Sequence, residues 1–446
     1  MSRAARRMMT DVTGTLATRF LTIGFGLCTG IITARVLGPE NRGIFSLAAL
    51  FPASVVTLSK LGQGVASVYF VRREKEDVSR VASNVLLIAL VTGALLVGLA
   101  FLLKAWLLST ILRGVPFWAL VVVLPMIPVL LVESSLYGIL QATDRFGVYN
   151  RRLIADSLLT LSGMVLVLLV FHLGLVGALC VVVTERVVMT GWLVFTIHRG
   201  SPIRLGFDRE LFRRMMRYGM KTHIQQIAAH FHFRADMYLV AYYLDPKQVA
   251  FYSIAVRMAE LMMNFPQTLG MVMFPRLAGS DLARGHAMTA VACRQTLAMT
   301  LACAVVLILL GKFLLVLWYG AAYAPAAAPL AYVAGGIISM SLYVLLSRNF
   351  TSRNRQFVNI FAAYVALVGN LTLNVVLIPR QGIIGAALAT LVSYTIATSI
   401  LLVLFLRESK LPWHEVLVLK PGDIALWKQM AEHAWQGVRR RMPARA

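Results

Sequence analysis

Charged residues are scarce in this chain, and acidic residues are the scarcest. Only 14% of its 446 residues are charged, with 19 Asp and Glu against 43 Lys and Arg. A soluble protein carries about 25% charged residues, so this composition leaves too little polar surface to cover a water-soluble body. We expect a membrane protein, and the net charge of +24 then needs an explanation other than a nucleic-acid surface.

Cysteine is also rare, which excludes two classes of structure. The four cysteines lie inside apolar runs without a Cys-x-x-Cys pair, at Cys28, Cys180, Cys293 and Cys303. This pattern indicates neither a disulfide framework nor a zinc site. His230 and His232 are two residues apart, on opposite faces of a helix, so they cannot chelate one ion together. We expect no metal and no cofactor.

Long apolar runs dominate the rest of the sequence. Runs of about 20 apolar residues are typical of membrane helices. Twelve such segments are predicted, at residues 12–36, 43–69, 81–103, 117–141, 153–172, 174–197, 219–243, 249–275, 289–318, 325–347, 357–378 and 383–406. The predicted fold class is an all-α polytopic membrane protein with twelve transmembrane helices.

The basic residues predict the orientation. With the N-terminus inside, the cytoplasmic segments hold 29 Lys and Arg and the outer loops hold 5. Cytoplasmic loops carry the excess of positive charge, so both termini are predicted to lie in the cytoplasm. Most of the net charge is thereby a topology signal. In the tail at 407–446, apolar residues from Trp427 to Met442 recur at helical spacing beside Arg439, which favours an amphipathic helix on the inner leaflet. A frayed basic tail explains the same pattern.

Two weak internal matches indicate a duplication. Residues 33–48 align with residues 240–255 at an offset of 207, and GLVGA at 174–178 meets GIIGA at 382–386 at an offset of 208. Parallel six-helix repeats form two lobes around a central cavity, the plan of an alternating-access transporter. The predicted domains are an N-terminal lobe at 1–197, a basic cytoplasmic linker at 198–218, a C-terminal lobe at 219–406 and the basic cytoplasmic tail.

Ionisable residues within the predicted spans are candidates for a site, because each one at mid-bilayer costs at least ~2.5–3.5 kcal/mol. The best-defined polar stripe follows the eighth span through Arg257, Glu260 and Asn264. Two interpretations stay open for it. Arg257 and Glu260 form an internal pair that only cements packing, or Arg257 binds the oxygens of a phosphate.

Several segments resemble a known family. ARVLGPENRGIF at 34–45 resembles the opening signature of Wzx-type polysaccharide flippases, and RADMYLVAYYL at 234–244 and VAFYSIAVRMAELMMNFPQTL at 249–269 resemble the signature of their second half. VMFPRLAG at 272–279 extends the likeness. These flippases belong to the multidrug/oligosaccharidyl-lipid/polysaccharide (MOP) superfamily, which also contains the multidrug and toxic-compound extruders (MATE).

The resemblance implies that the chain turns a polyprenyl pyrophosphate-linked oligosaccharide across the bacterial inner membrane, for cell-surface polysaccharide. Its implied partners are that lipid, membrane lipids and a polysaccharide polymerase or other export components. Cavity cations are expected to hold the pyrophosphate: Arg19, Lys60, Arg234 and Arg257. Candidate coupling or polar cavity residues are Glu133, Glu185, Glu260, His230 and Asn264.

Other functions fit the sequence less well. A multidrug or cation antiporter on the same fold is the alternative, but that branch often carries a coupling aspartate on the first helix, where this chain has Arg19. Flippases of the peptidoglycan lipid precursor usually add two helices. A polysaccharide polymerase or ligase needs a large outer loop, and the longest predicted here is 104–116. No catalytic constellation is evident, so an enzyme is not predicted.

Overall fold

The computed structural model describes residues 3–143, 145–204 and 206–423. Within these ranges every regular element is a helix. In a bilayer a helix satisfies all its backbone hydrogen bonds within one segment, which explains this architecture. The α-helices are α1 (Arg3–Ser59), α2 (Gln63–Arg72), α3 (Val78–Leu102), α4 (Lys104–Ser109), α5 (Phe117–Val123), α6 (Met126–Ala142), α7 (Phe146–Met164), α8 (Gly174–Gly200), α9 (Arg209–Tyr243), α10 (Pro246–Glu260), α11 (Asn264–Ala278), α12 (Leu282–Tyr319), α13 (Ala327–Ser352), α14 (Gln356–Gln381), α15 (Ile383–Ser409) and α16 (Trp413–Leu417).

A helix occupies each of the twelve predicted spans, and nine of the described helices are long and apolar enough to cross a membrane. The nine are Thr18–Ser59, Val78–Leu102, Phe117–Ala142, Gly147–Val170, Gly174–Gly200, Leu282–Tyr319, Ala321–Ser352, Gln356–Gln381 and Ile383–Ser409. Their surfaces carry large apolar side chains such as Leu309 and Phe357, which are 76% and 77% exposed. Exposure of this kind suits contact with lipid tails rather than water. The chain is a multi-pass membrane protein.

The first two predicted spans are joined. The helix α1 runs from Arg3 to Ser59 and bends at Gly38, whose φ of 71° lies in the left-handed region. Glycine adopts that region without a steric penalty, and Pro39 follows it. The second predicted span is interrupted: α1 ends at Ser59, a turn follows, and α2 begins at Gln63. The glycine and proline of the signature at 34–45 thus shape a kink within one helix.

The eighth predicted span is divided. The helix α10 ends at Glu260, a 3₁₀ turn occupies Leu261–Met263, and α11 begins at Asn264. A short 3₁₀ stretch inside a helical run often marks a functional hinge. The interruption falls within the polar stripe of Arg257, Glu260 and Asn264, which the sequence places on one continuous helix.

Two loops end in aspartate N-caps. Asp77 accepts from the backbone N–H of Ser79 at the start of α3, and Asp208 accepts from the N–H of Leu211 at 3.0 Å at the start of α9. Arg80 also donates to the carboxylate of Asp208. The N–H of Leu211 and then the Arg80 guanidinium stabilise the charged form, so they hold the pKa of Asp208 below its usual range. These bonds connect the start of α3 to the start of α9.

The chain divides into two compact units. The first comprises Met1–Ile254, Lys312–Ala327 and Leu371–Ala386, and the second comprises Ala255–Gly311, Ala328–Asn370 and Ala387–Ala446. In the second unit the core includes Cys293, Leu345 and Phe405. The predicted lobes at 1–197 and 219–406 and the linker at 198–218 stay a prediction.

The start of the tail packs within the second unit. Arg294 on α12 donates to both carboxylate oxygens of Asp423, at 2.5 and 3.0 Å, and to the backbone oxygen of Glu415. The hydrogen bonds from Arg294 lower the pKa of Asp423 to about 2. The amphipathic helix predicted from Trp427 to Met442 lies outside the described residues.

Candidate functional site

A cavity of about 580 Å³ opens within the first unit, among α2, α6, α9 and the turn that follows α1. Its lining combines basic, aromatic and amide or hydroxyl side chains with small residues. The polar and aromatic lining residues are Lys60, Tyr69, Arg72, Arg73, Ser134, Tyr137, Gln141, Tyr218 and Gln226. Pockets with a few convergent polar groups on a largely apolar wall are the usual ligand sites of proteins.

Glycines bring the walls of the cavity together. A Cβ on Gly64 would lie 2.6 Å from the backbone oxygen of Ser134, and a Cβ on Gly138 would lie 2.1 Å from the backbone oxygen of Gly64. These spacings are shorter than any real Cβ contact. Since only glycine lacks a Cβ, the close packing of α2 on α6 depends on these residues.

The charge of the cavity lining is positive. Among the described residues that line it there are three cations, Lys60, Arg72 and Arg73, and no carboxylate. The acids of the neighbouring loop are held by Arg214, which lies 2.8 Å from Glu76 and 3.4 Å from Glu74. Guanidinium and ammonium groups are strong donors to phosphate oxygens. The lining therefore suits an anionic ligand.

Aromatic rings flank these cations. The rings of Tyr69 and Tyr218 stack with their centroids 4.2 Å apart, and the Arg73 guanidinium lies 5.7 Å from the centre of the Tyr69 ring. An arginine at that distance from a tyrosine ring gains a cation–π attraction. The sequence predicts Lys60 as a site residue but not Tyr69, Arg72 and Arg73, because the run YFVRR at 69–73 has the pattern of a span end followed by a basic loop.

The histidines of α9 join that helix to α1. His230 Nε2 lies 2.8 Å from Ser54 Oγ, and the Tyr238 hydroxyl donates to the same Ser54 oxygen at 2.7 Å. Two turns before His230, His223 Nε2 lies 3.1 Å from the backbone oxygen of Leu58. Gln226, one turn before His230 on α9, lines the same cavity as Lys60. The structure therefore brings the predicted site residue Lys60 close to the stretch of α9 that carries His230 and Arg234.

The other predicted cations lie elsewhere. Arg19 is half-buried on α1. Arg257 is exposed on α10, and Glu260 and Asn264 flank the 3₁₀ turn in the second unit. The amide of Asn264 donates to the backbone oxygen of Leu261 at 2.9 Å, so it closes that turn. The roles assigned to Arg19, Arg257, Glu260 and Asn264 stay predictions.

The predicted acids Glu133 and Glu185 belong to a buried ionic cluster of the first unit. Glu133 on α6 pairs with Arg152 at 3.2 Å and with Arg186 at 3.5 Å. Glu185 on α8 pairs with Arg186 at 3.2 Å. By sequence, Arg152 belongs to a predicted basic loop at 142–152. Only packing shows that it points into the helix layer.

The signature at 34–45 organises the helices around its kink. Arg35 donates to the backbone oxygen of Trp318 at 2.7 Å, and Arg42 donates to Ser46 at 2.8 Å. A Cβ on Gly43 would lie 1.7 Å from the backbone oxygen of Pro246. Arg35 and Gly43 of the signature therefore lie where α1 contacts α12 and α10.

Comparisons with known proteins agree on family and fold. The polysaccharide biosynthesis protein family matches residues 9–280. The probable low-salt glycan biosynthesis flippase Agl15 of Haloferax volcanii is 23% identical over 190 residues, which are 42% of this chain and 40% of that protein. The match thus spans less than half the length of this relative.

Two solved structures share the fold. The lipid II flippase MurJ in an inward closed conformation has a TM-score of 0.77 at 17% identity, covering 89% of this chain and 90% of that one. An inward-facing multidrug resistance MATE transporter of the MOP superfamily has a TM-score of 0.71 at 14% identity, covering 90% and 98%. At these identities the likeness concerns the fold. The chain belongs to the polysaccharide biosynthesis protein family and has the all-helical fold of the MOP superfamily.

Proposed function

We propose that this protein flips a polyprenyl pyrophosphate-linked oligosaccharide from the cytoplasmic to the outer leaflet, for assembly of a cell-surface polysaccharide. The observation that carries the proposal is the cavity lined by Lys60, Arg72 and Arg73. The pyrophosphate that joins the lipid to the sugar is esterified at both ends and is a compact dianion, and basic side chains in a partly apolar cavity bind such groups strongly. Membership in a polysaccharide biosynthesis family supports a glycan as the cargo.

The proposal includes a location and partners. The protein acts in the inner membrane with both termini in the cytoplasm, which follows from the 29 and 5 basic residues on the two sides. It receives a lipid-linked oligosaccharide from cytoplasmic synthesis and delivers it to a polymerase or other export components. Under this topology the loop after Arg73 faces the cytoplasm, so the cavity opens toward the leaflet where the cargo is made.

A flipping assay tests the proposal. The purified protein is reconstituted in proteoliposomes with a fluorescent polyprenyl pyrophosphate oligosaccharide, and the fraction reaching the other leaflet is measured. Lys60→Ala and Arg73→Ala should each slow flipping about 10- to 150-fold at limiting substrate, since a hydrogen bond to a charged group contributes ~1.5–3 kcal/mol. Arg284→Ala, which removes an exposed arginine of the second unit, is the matched control and should flip normally. Equal rates in all four proteins would contradict the cavity assignment.

A multidrug or cation antiporter is the second candidate, and the likeness to a MATE transporter over 98% of that chain favours it. Deletion of the gene separates the two functions. A flippase mutant accumulates lipid-linked oligosaccharide on the cytoplasmic leaflet while synthesis continues. Unchanged surface polysaccharide together with increased drug sensitivity would support the antiporter instead.

A further inference from the structure

Five charged side chains of α6, α7 and α8 meet inside the first unit, in what we call the ionic cluster: Glu133, Arg152, Asp156, Glu185 and Arg186. Arg152 is 1% exposed and Glu185 is 2% exposed. The side chains of Asp156 and Arg186 are 19% and 29% exposed, so Arg152 and Glu185 are the members whose charges water screens least. The cluster therefore has to satisfy an electrostatic condition that surface ion pairs do not.

All three carboxyl groups of the ionic cluster contact the same cation. The Arg186 guanidinium lies 3.1 Å from Asp156, 3.2 Å from Glu185 and 3.5 Å from Glu133. The second cation, Arg152, pairs with Glu133 at 3.2 Å. The cluster thus has three carboxyl groups for two guanidinium groups, and one carboxyl has no cation of its own.

Glu185 is the carboxyl whose surroundings suit a neutral form best. Its Oε1 atom is buried and has no hydrogen-bond partner among the described residues. A buried carboxylate with an unsatisfied oxygen costs several kcal/mol, whereas a neutral carboxyl of like shape costs far less. Asp156 and Glu133 contact the same guanidinium as Glu185, so the three acids lie close together. Two acids that share one site favour retention of a proton.

The charged groups around Glu185 come from several helices. Arg186 lies on its own helix, Asp156 lies on α7 and Glu133 lies on α6. The helix α1 also packs against α7 and α8, and the ionisable residues that its sequence carries between positions 12 and 34 are Arg19 and Cys28. The helix α5, which packs against α8 as well, contains no ionisable residue.

The cluster is bonded to a wall of the cavity. Arg152 donates to the hydroxyl of Tyr137, and its guanidinium lies 4.6 Å from the centre of the Tyr137 ring. Tyr137 lines the cavity. The Arg152 guanidinium therefore contacts both the carboxylate of Glu133 and Tyr137 in the cavity wall. A change in the charge of the acids alters the electrostatic force on this guanidinium.

We propose that Glu133, Asp156 and Glu185 share one exchangeable proton beneath the cavity wall, and that release of this proton to water draws Arg152 toward the acids and away from Tyr137. The proton makes the cluster neutral, with two negative and two positive groups. Its loss leaves one uncompensated negative charge, which strengthens the attraction on both guanidinium groups. The proton site does not depend on the proposed function. Only the expected effect of the proton on transport rests on that function.

Infrared spectroscopy of the full-length protein in lipid nanodiscs tests the site without a substrate. The difference spectrum between neutral and mildly alkaline buffer should contain the C=O band of one protonated carboxyl and a shift of a tyrosine ring band. Glu185→Gln and Asp156→Asn each remove one acid and leave a cluster that is neutral without a proton. Both variants should lose the carboxyl band, and Glu210→Gln, which removes an exposed acid of α9, should keep it.

The tyrosine band identifies the link to the cavity. Tyr137→Phe should abolish the ring shift and keep the carboxyl band, whereas Tyr69→Phe, at another cavity tyrosine, should keep both. A wild-type spectrum without the carboxyl band, or a band that survives both Glu185→Gln and Asp156→Asn, would overturn the proton site. A ring shift that persists in Tyr137→Phe would overturn the link.

Transport adds an independent readout. In the flipping assay a pH gradient should change the wild-type rate, and Glu185→Gln should flip at a rate that does not respond to the gradient. A response of Glu185→Gln equal to that of the wild type would contradict coupling through this cluster. If neither protein flips the oligosaccharide while the infrared bands behave as expected, the proposed function fails and the proton site stands.

Discussion

Gly62 and Gly219 are in backbone contact at the floor of the cavity. A Cβ on Gly62 would lie 2.2 Å from the carbonyl oxygen of Gly219, and a Cβ on Gly219 would lie 2.5 Å from the carbonyl oxygen of Leu61. The contact joins the turn between α1 and α2 to α9. Neither side chain position tolerates even a methyl group, so the approach of these helices depends on glycine at both positions.

Gly62→Ala should therefore destabilise the protein. The φ of Gly62 is 68°, and a non-glycine residue in that region costs about 1–3 kcal/mol before the clash with Gly219 is counted. Thermal unfolding of the detergent-purified protein measures the effect. Gly24→Ala is the control, because a Cβ there meets nothing within 4 Å. Equal stability of the two variants would show that the turn after α1 adapts to the methyl group.

Variants at Arg257 should show whether this residue binds an anion or only stabilises packing. If Arg257 binds a phosphate, Arg257→Ala should slow transport about 10- to 150-fold, because a hydrogen bond to a charged group contributes ~1.5–3 kcal/mol. Arg257→Lys keeps the charge but loses the planar fork and should retain partial activity. Transport and membrane abundance are measured in Arg257→Ala, Glu260→Ala and the double variant. Full recovery in the double variant would mean that Arg257 only neutralises Glu260.

Reporter fusions test the orientation. A reporter after Arg217 or at the C-terminus should be active only in the cytoplasm, and one near Lys247 only outside, because positive loops stay inside. Alkaline phosphatase and green fluorescent protein fusions give opposite readouts at each point. A C-terminal fusion that reports the outside would make the number of crossings odd and remove the basis for two six-helix lobes.

The tail attachment should depend on Asp423 and not on pH near neutrality. The hydrogen bonds from Arg294 lower the pKa of Asp423 from 3.8 to about 2. Its contribution to stability is therefore complete above about pH 4 and is lost only as the pH falls through about 2. Asp423→Asn should lower the thermal unfolding temperature of the detergent-purified protein at neutral pH. Asp281→Asn, at an exposed N-cap, is the control, and equal unfolding temperatures in both would contradict a role for the Arg294 pair.

The sequence alone determined the environment and the helices. Apolar runs long enough to span a bilayer leave the backbone no alternative to helices, so helices cover all twelve predicted spans, although α1 joins the first two and an interruption divides the second and the eighth. The resemblance at 34–45 also predicted the family, which the family match over residues 9–280 confirms. Gly38 forms a kink, and Arg35 donates to the backbone near Trp318.

The tertiary structure decided which charges meet. Lys60 lies about 170 residues before His230 and Arg234 in the chain. Periodicity along α9 relates the last two to each other, but only the fold brings Lys60 near that helix. Arg152 reads as a loop residue in the sequence, yet packing of α6, α7 and α8 buries it against Glu133 and Tyr137. Helix boundaries follow from local composition. The partner of a buried charge follows from how the helices pack, because only groups that the fold brings near can stabilise that charge.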